Sequence, residues 1–237
     1  MKICIDAGHG INTPGKRTPR FEDGTFMKEF EFNSKVAEYL KEELINYRDV
    51  EVVFTHDHPS GITDVPLRDR TNMANRIKAD LFISIHADAF GDGQDFNSAH
   101  GLTTFVYNKV PRVTLEIAEA IHQELIRDTG RRDRGVKREN FHVLRETTMP
   151  AVLIEHGFMT NLGDATLLRN DSFRRRCGLS IANAVAVYYK LEKKEEDYLY
   201  KVQVGAFSKK SNADRLAKEL KEKGYSVYII KEKIGAN

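Results

Sequence analysis

Apolar positions along the chain fall into two alternating patterns. KICIDA (2–7), DLFISIH (80–86) and AVLIE (151–155) are short, nearly unbroken apolar runs. Such runs mark strands covered on both sheet faces. VEVVFTH (50–56) and GLTTFVY (101–107) are β-branched and read as further strands. Between them the spacing changes. Phe32, Val36, Tyr39, Leu40 and Leu44 recur at helical intervals, predicting a helix over 29–46. Helices are also expected at 66–78, with Pro66 in the first turn, at 112–128 on the stripe Ile117, Ile121 and Leu125, and at 171–190. Strands that alternate with helices predict an α/β domain of three layers, a mostly parallel sheet flanked by helices, over residues 1–190.

LEKKEED (191–197) is a charge run that reads as a linker, because strand-like residues resume at once. YLYKVQVGAF (198–207) and YSVYII (225–230) read as strands. The segment between them (212–224) places Ala213, Leu216, Ala217 and Leu220 at i, i+3, i+4, i+7, with Gly224 as the stop. Residues 198–237 are therefore expected to form a small β-α-β module, too small to be very stable alone.

Composition narrows the classes. The 237 residues carry 37 Lys and Arg against 35 Asp and Glu, a net charge of +2. Nucleic-acid binding normally shows a basic excess, and none is present. No apolar run is long enough for a membrane span, and the N-terminus does not read as a signal peptide. The expectation is a protein made in the cytoplasm that reaches any external target only after release. Cys4 and Cys177 lie in apolar patterns and read as buried thiols.

Three residues suited to chemistry follow or end predicted strands: His9, His86 and Glu155. Open α/β sheets bind ligands outside the carboxyl ends of their strands. Glu29 opens the first long helix, where the helix dipole stabilises a carboxylate. Two histidines and a carboxylate leave a fourth position open, the arrangement of catalytic zinc. A further carboxylate can then take a proton from water and return it to a leaving amine. Each residue also has a plain structural reading, and spacing alone does not show that the four meet. Glu155 stands out, since an ionised carboxylate behind an apolar run needs a partner. His56 and His58 read as loop residues, and His100, His142 and His156 rank below the four. GxSxG, GxxxxGK[ST] and HExxH motifs do not occur.

The segments IDAGHG (5–10), EFEFN (29–33), LRDRTNMAN (67–75), ADLFISIHAD (79–88), RGVK (134–137) and VLRETTMPAVLIEHGFMTN (143–161) occur in the order of one family. They resemble the N-acetylmuramoyl-L-alanine amidases of the Amidase_3 type, over about residues 1–190. The resemblance implies hydrolysis of the amide between N-acetylmuramic acid and L-alanine in peptidoglycan. It implies Zn2+ on His9, Glu29 and His86, with Glu155 catalytic. Asp88 and His156 depart from residues common in the family. The tail resembles the first half of a sporulation-related repeat (SPOR) module, which binds peptidoglycan. A half module predicts that two chains pair their tails as a homodimer. A phage endolysin or a sporulation lysin is expected, the endolysin preferred. The competing expectations are a zinc peptidase acting within the stem peptide and a non-catalytic wall-binding protein.

Overall fold

The computed structural model describes residues 1–59, 61–195 and 202–232. The chain divides into two compact units, Met1–Lys194 and Glu195–Asn237.

In the first unit, strands β1 (Lys2–Ala7), β2 (Glu51–Phe54), β3 (Leu81–Asp88), β4 (Leu102–Val106), β5 (Asp133–Arg138) and β6 (Ala151–Phe158) form one sheet in the order β2-β1-β3-β6-β4-β5. All pairings are parallel except β6 with β4. The expected mostly parallel sheet is present, with β4 and β5 reversed against the other four strands. Strand β5, with its sequence DRGVKR, lacks apolar alternation and was not expected. It is an edge strand, where one face needs no burial.

Helices α1 (Glu29–Leu44), α3 (Arg112–Thr129) and α6 (Asp171–Tyr189) cover one sheet face. There Ile3, Ile5, Ile83, Ile85, Val152 and Ile154 meet Phe32, Val36, Leu40, Ile121 and Ile181. Each such aliphatic side chain contributes about 1.5–3 kcal/mol on burial. Gly178 of α6 permits the close approach of α1: a Cβ there would lie 2.7 Å from Tyr39 Cβ and 3.0 Å from the Val36 carbonyl oxygen. On the opposite face, α2 (Leu67–Arg76) and α4 (His142–Arg145) bring Ala74, Val143 and Leu144 against Cys4, Phe82, Ala151 and Leu153. Pro66 stands one residue before α2 as its N-cap rather than inside the first turn. A short helix α5 (Leu162–Arg169) precedes α6. Both cysteines are buried and free, and burial pushes each thiol well above its ordinary pKa.

The first part of the charge run packs on the first unit. Glu192 and Asn46 carbonyls accept from the Arg48 and Lys194 amides at 2.8 Å each. In the second unit, helix α7 (Lys210–Glu222) stands where expected, with Gly224 at φ 86° after it. The flanking segments 202–207 and 225–230 carry no ladder hydrogen bonds among the described residues. Val202, Val204, Tyr225 and Ile230 are exposed there. The expected β-α-β pairing is thus absent among the described residues: two short extended segments and one helix bury little apolar surface against the entropy of ordering them. Residues 198–201 lie outside the described residues.

Candidate metal centre

Strand β1 runs straight into Gly8-His9-Gly10, and His9 adopts a left-handed φ of 62°. Arg70 holds this turn. Its guanidinium, almost wholly buried, donates from Nη2 to the His9 carbonyl at 2.6 Å and from Nη1 to the Ala7 carbonyl at 2.8 Å. Nη1 also pairs with the buried Asp6 at 2.7 Å. Gly8 is required by contact: a Cβ on it would lie 2.1 Å from Cε1 of His86.

His86 lies in β3, one residue past the Ile85–Ala7 pair with β1 and directly opposite Glu155 on β6. Glu29 arrives from the first turn of α1. That helix starts here because the Glu31 carboxylate accepts the Lys28 amide at 3.0 Å. Glu31 is thereby used as a cap, and Glu29 alone turns inward. His9, Glu29 and His86 each offer a ligand atom, all within 4.8 Å of one another. His9 Nε2 is 3.2 Å from Glu29 Oε2, and His86 Nδ1 is 3.0 Å from Glu29 Oε1. Zinc bonds of about 2.0–2.1 Å at tetrahedral angles put donors roughly 3.3 Å apart. The histidines face different oxygens of Glu29, and the donor types, together with ligand atoms lying within 4.8 Å of one another, suit a zinc ion.

The carboxylate of Glu29 is fixed before any cation arrives. Oε1 accepts from the Asn33 side chain at 3.1 Å and from the Ala87 amide at 3.2 Å, besides facing His86. Asn33 also donates to the Gly8 carbonyl at 3.0 Å, tying α1 to the His9 turn. Such outer partners set ligand orientation. Asn33, Arg70 and Asp6 were not assigned roles from sequence. Their signal was a buried polar residue in an apolar setting: Asp6 within KICIDA, Asn33 and Arg70 on the inward faces of helices.

Electrostatics agree with a cation site. Burial alone would raise Glu29, but hydrogen bonding and charge from His86, together with His9 and Asn33, bring it down to about 2. Burial depresses His9 to about 4 despite Glu29. His86 is raised, since the Glu29 hydrogen bond and charge outweigh its burial. Glu155 behaves differently: burial, helped by Glu29 and Asp88 and opposed by His86, pushes it up to about 8. Its Oε2 is enclosed and has no hydrogen-bond partner among the described residues. It lines one cleft with His9, Lys16, Glu29, His86 and Asp88.

The other histidines lie elsewhere. His56 stacks on Phe54 at 4.6 Å within a short 3-10 turn, Thr55–Asp57. His100 faces the Ser98 carbonyl at 2.9 Å. His142 begins α4. His156 is fully buried against Phe32, faces the His86 carbonyl at 3.2 Å, and burial lowers it to about 4. Sequence reasoning missed His122, which bridges Thr104 and Asp133 at 3.0 and 2.8 Å.

Residues 3–187 match the N-acetylmuramoyl-L-alanine amidase family, and residues 196–237 match the SPOR domain. A sporulation-specific N-acetylmuramoyl-L-alanine amidase of Bacillus subtilis is 37% identical over 234 residues, covering 98% of this chain and 86% of that protein. An endolysin of Bacillus phage SPP1 is 34% identical over 194 residues, covering 81% of this chain and 67% of that protein. Among solved structures, the crystal structure of an N-acetylmuramoyl-L-alanine amidase from Clostridium difficile 630 is similar with a TM-score of 0.71 and 32% identity. It covers 80% of this chain and 96% of that one.

Proposed function

The chain belongs to the N-acetylmuramoyl-L-alanine amidase family, and from that membership we propose a zinc-dependent hydrolase for the bond between N-acetylmuramic acid and L-alanine. The observation that supports it most is the convergence of His9, Glu29 and His86 beside an unpartnered Glu155 Oε2. Zinc held by the first three residues would polarise the carbonyl and lower the pKa of water to about 7. Glu155 sits one strand over from His86, about 4.8 Å between backbones. A cation held by the three ligands would favour the ionised form of Glu155, whose Oε2 would then accept the proton of the attacking water and return it to the departing L-alanine nitrogen. Glu29 keeps its charge throughout, since Asn33, Ala87 and His86 hold the ionised form.

One relative matched across both units is named a sporulation amidase, whereas the phage endolysin is matched over a smaller share of the chain. This favours a sporulation lysin over an endolysin, acting on the wall after release from the cell. The second unit matches the SPOR domain, and peptidoglycan binding by it is part of the same proposal. Pairing of two such units through the exposed apolar positions is part of the proposal, and a monomeric mass at every concentration would exclude it. The decisive test is metal content together with product identification on purified sacculi. An amidase frees L-alanine amino termini and leaves glycan without peptide. Cleavage inside the stem, or wall binding without turnover in added zinc, would refute the assignment.

A further inference from the structure

The RGVK motif lies on β5, two strands from Glu155. The sheet register explains why this matters. Glu155 of β6 pairs with Thr103 of β4. Across β4, Leu102 pairs with Asp133 and Thr104 with Val136, the register shifting between them. The shift leaves Arg134 and Gly135 together opposite Thr103 as a bulge, and of the two only Arg134 has a side chain to place beside the row of Glu155 and Thr103, whose members share a sheet face. Lys137 pairs with Phe105, the next position on that face. A line of side chains runs His86, Glu155, Thr103, Arg134, from the metal centre to the sheet edge.

Arg134 is held in place there. Its guanidinium lies 4.9 Å over the Phe158 ring, and Nη1 donates to the His100 carbonyl at 3.2 Å. Its Nε is enclosed and has no partner among the described residues. The junction under it is rigid. Buried Asp164 accepts the Gly101 and Phe158 amides at 2.9 Å each and pairs with Arg131 at 2.9 Å. Gly101, at φ 107°, lets β5 press close, since a Cβ would lie 2.6 Å from the Arg132 carbonyl. Among the described residues neither Arg134 nor Lys137 forms an ion pair. A planar cation fixed on an aromatic ring, with unused donors, suits a carboxylate.

We propose that Arg134, assisted by Lys137, binds the free carboxylate of the second stem-peptide residue, so that acidic stems are cut in preference to α-amidated ones. The inference rests on the amidase reading for the position of the scissile bond. From the scissile nitrogen, two extended residues carry that carboxylate about 7 Å. Two strand spacings from Glu155 to β5 come to roughly 10 Å, and the arginine side chain closes the difference.

The test compares MurNAc-L-Ala-γ-D-Glu with its α-amide on the zinc-loaded full chain. The acid should be favoured in kcat/KM by about tenfold or more, the range of a charge-assisted hydrogen bond. Arg134→Gln should abolish that preference through KM, the loss falling on the acid and not equally on the amide. Lys137→Gln, at an exposed position, should reduce the preference severalfold and does not depend on Arg134 variants folding. Equal rates for both substrates in the unmodified chain would overturn the proposal, as would an equal loss on both in Arg134→Gln. Calorimetry with L-Ala-γ-D-Glu and its amide reads binding without turnover. If neither substrate is cleaved but the acid still binds better, the amidase reading falls and the carboxylate site stands. No difference in binding removes the site.

Discussion

Replacing Arg70 with methionine keeps an unbranched stem and deletes the guanidinium. Asp6, 1% exposed, then keeps only the Thr55 and Ser84 hydroxyls, at 2.7 and 2.6 Å. The Val65, Ala7 and His9 carbonyls each lose a donor. Breaking a buried pair on one side costs about 3–5 kcal/mol. Protonation of Asp6 sets a ceiling: from an unfolded value of about 3.9, neutralising it at pH 7 costs roughly 4 kcal/mol, and at pH 5 roughly 1.5. In the parent chain burial raises Asp6, but Arg70, Ser84 and Thr55 outweigh it and hold it low. A lowered folded pKa gives stability that is present above about pH 4 and lost as pH falls through the folded value. The parent is thus insensitive to Asp6 between pH 5 and 7, whereas the variant regains stability on acidification. Urea unfolding of metal-free protein should show a loss near 4 kcal/mol at pH 7, shrinking by about 2–3 kcal/mol at pH 5. In melting temperature this is about 8–16 °C at pH 7. Adding Asp6→Asn should recover part of the loss. A loss under about 1 kcal/mol, or an equal loss at both pH values, would refute this account of Arg70.

Glu155→Gln should cut kcat by at least about a hundredfold while zinc content stays at parent level; retained rates would remove Glu155 from the chemistry. Asn33→Ala frees Glu29 Oε1 from one donor, so chelator competition should show zinc affinity lower by about tenfold to a hundredfold. Gly8→Ala drives a methyl into the His86 ring, and the protein should purify without metal even if folded by circular dichroism. Because His86 is raised by Glu29, a proton must leave before zinc binds. Affinity should therefore rise with pH through the His86 titration and level off above it. A pH-independent affinity from 5 to 8 would show that His86 is not a ligand.

Strands buried on both faces were plain in sequence because a run such as LFISI has a single use. Helix α1 was equally plain from its apolar stripe. His9, Glu29 and His86 could be named, but their meeting depends on β1 and β3 being neighbours, which no local pattern reports. The orienting residues were harder to see. Asn33 and Arg70 share the inward faces of their helices with apolar residues, but which groups they orient depends on the turn after β1, and the φ of His9 leaves no mark on composition. The tail shows the opposite case. Its strand-like apolar alternation is strong, yet 202–207 and 225–230 form no ladder among the described residues. Alternation records a capacity to pair, and pairing also requires a partner edge.

Topology explains why β5 went unread and why it belongs to the site. A wholly parallel sheet gathers its chemistry at strand carboxyl ends, as His86 on β3 and Glu155 on β6 do. Reversal of β4 and β5 brings strand beginnings to that same edge. Residues 100–103 and 133–135 therefore lie at the same end of the sheet as Glu155, which Thr103 directly opposes. Strand beginnings at an edge can be polar and cationic without upsetting the core, because only one flank is packed. The sheet thus divides the work by direction: carboxyl ends hold the metal ligands and the proton carrier, and reversed strands present fixed cations beside them. That division predicts that substitutions on β5 alter which wall is cut, whereas substitutions on β1, β3 and β6 alter whether any wall is cut. A zinc-loaded Arg134→Gln chain that lost turnover on acid and amide substrates alike would contradict it.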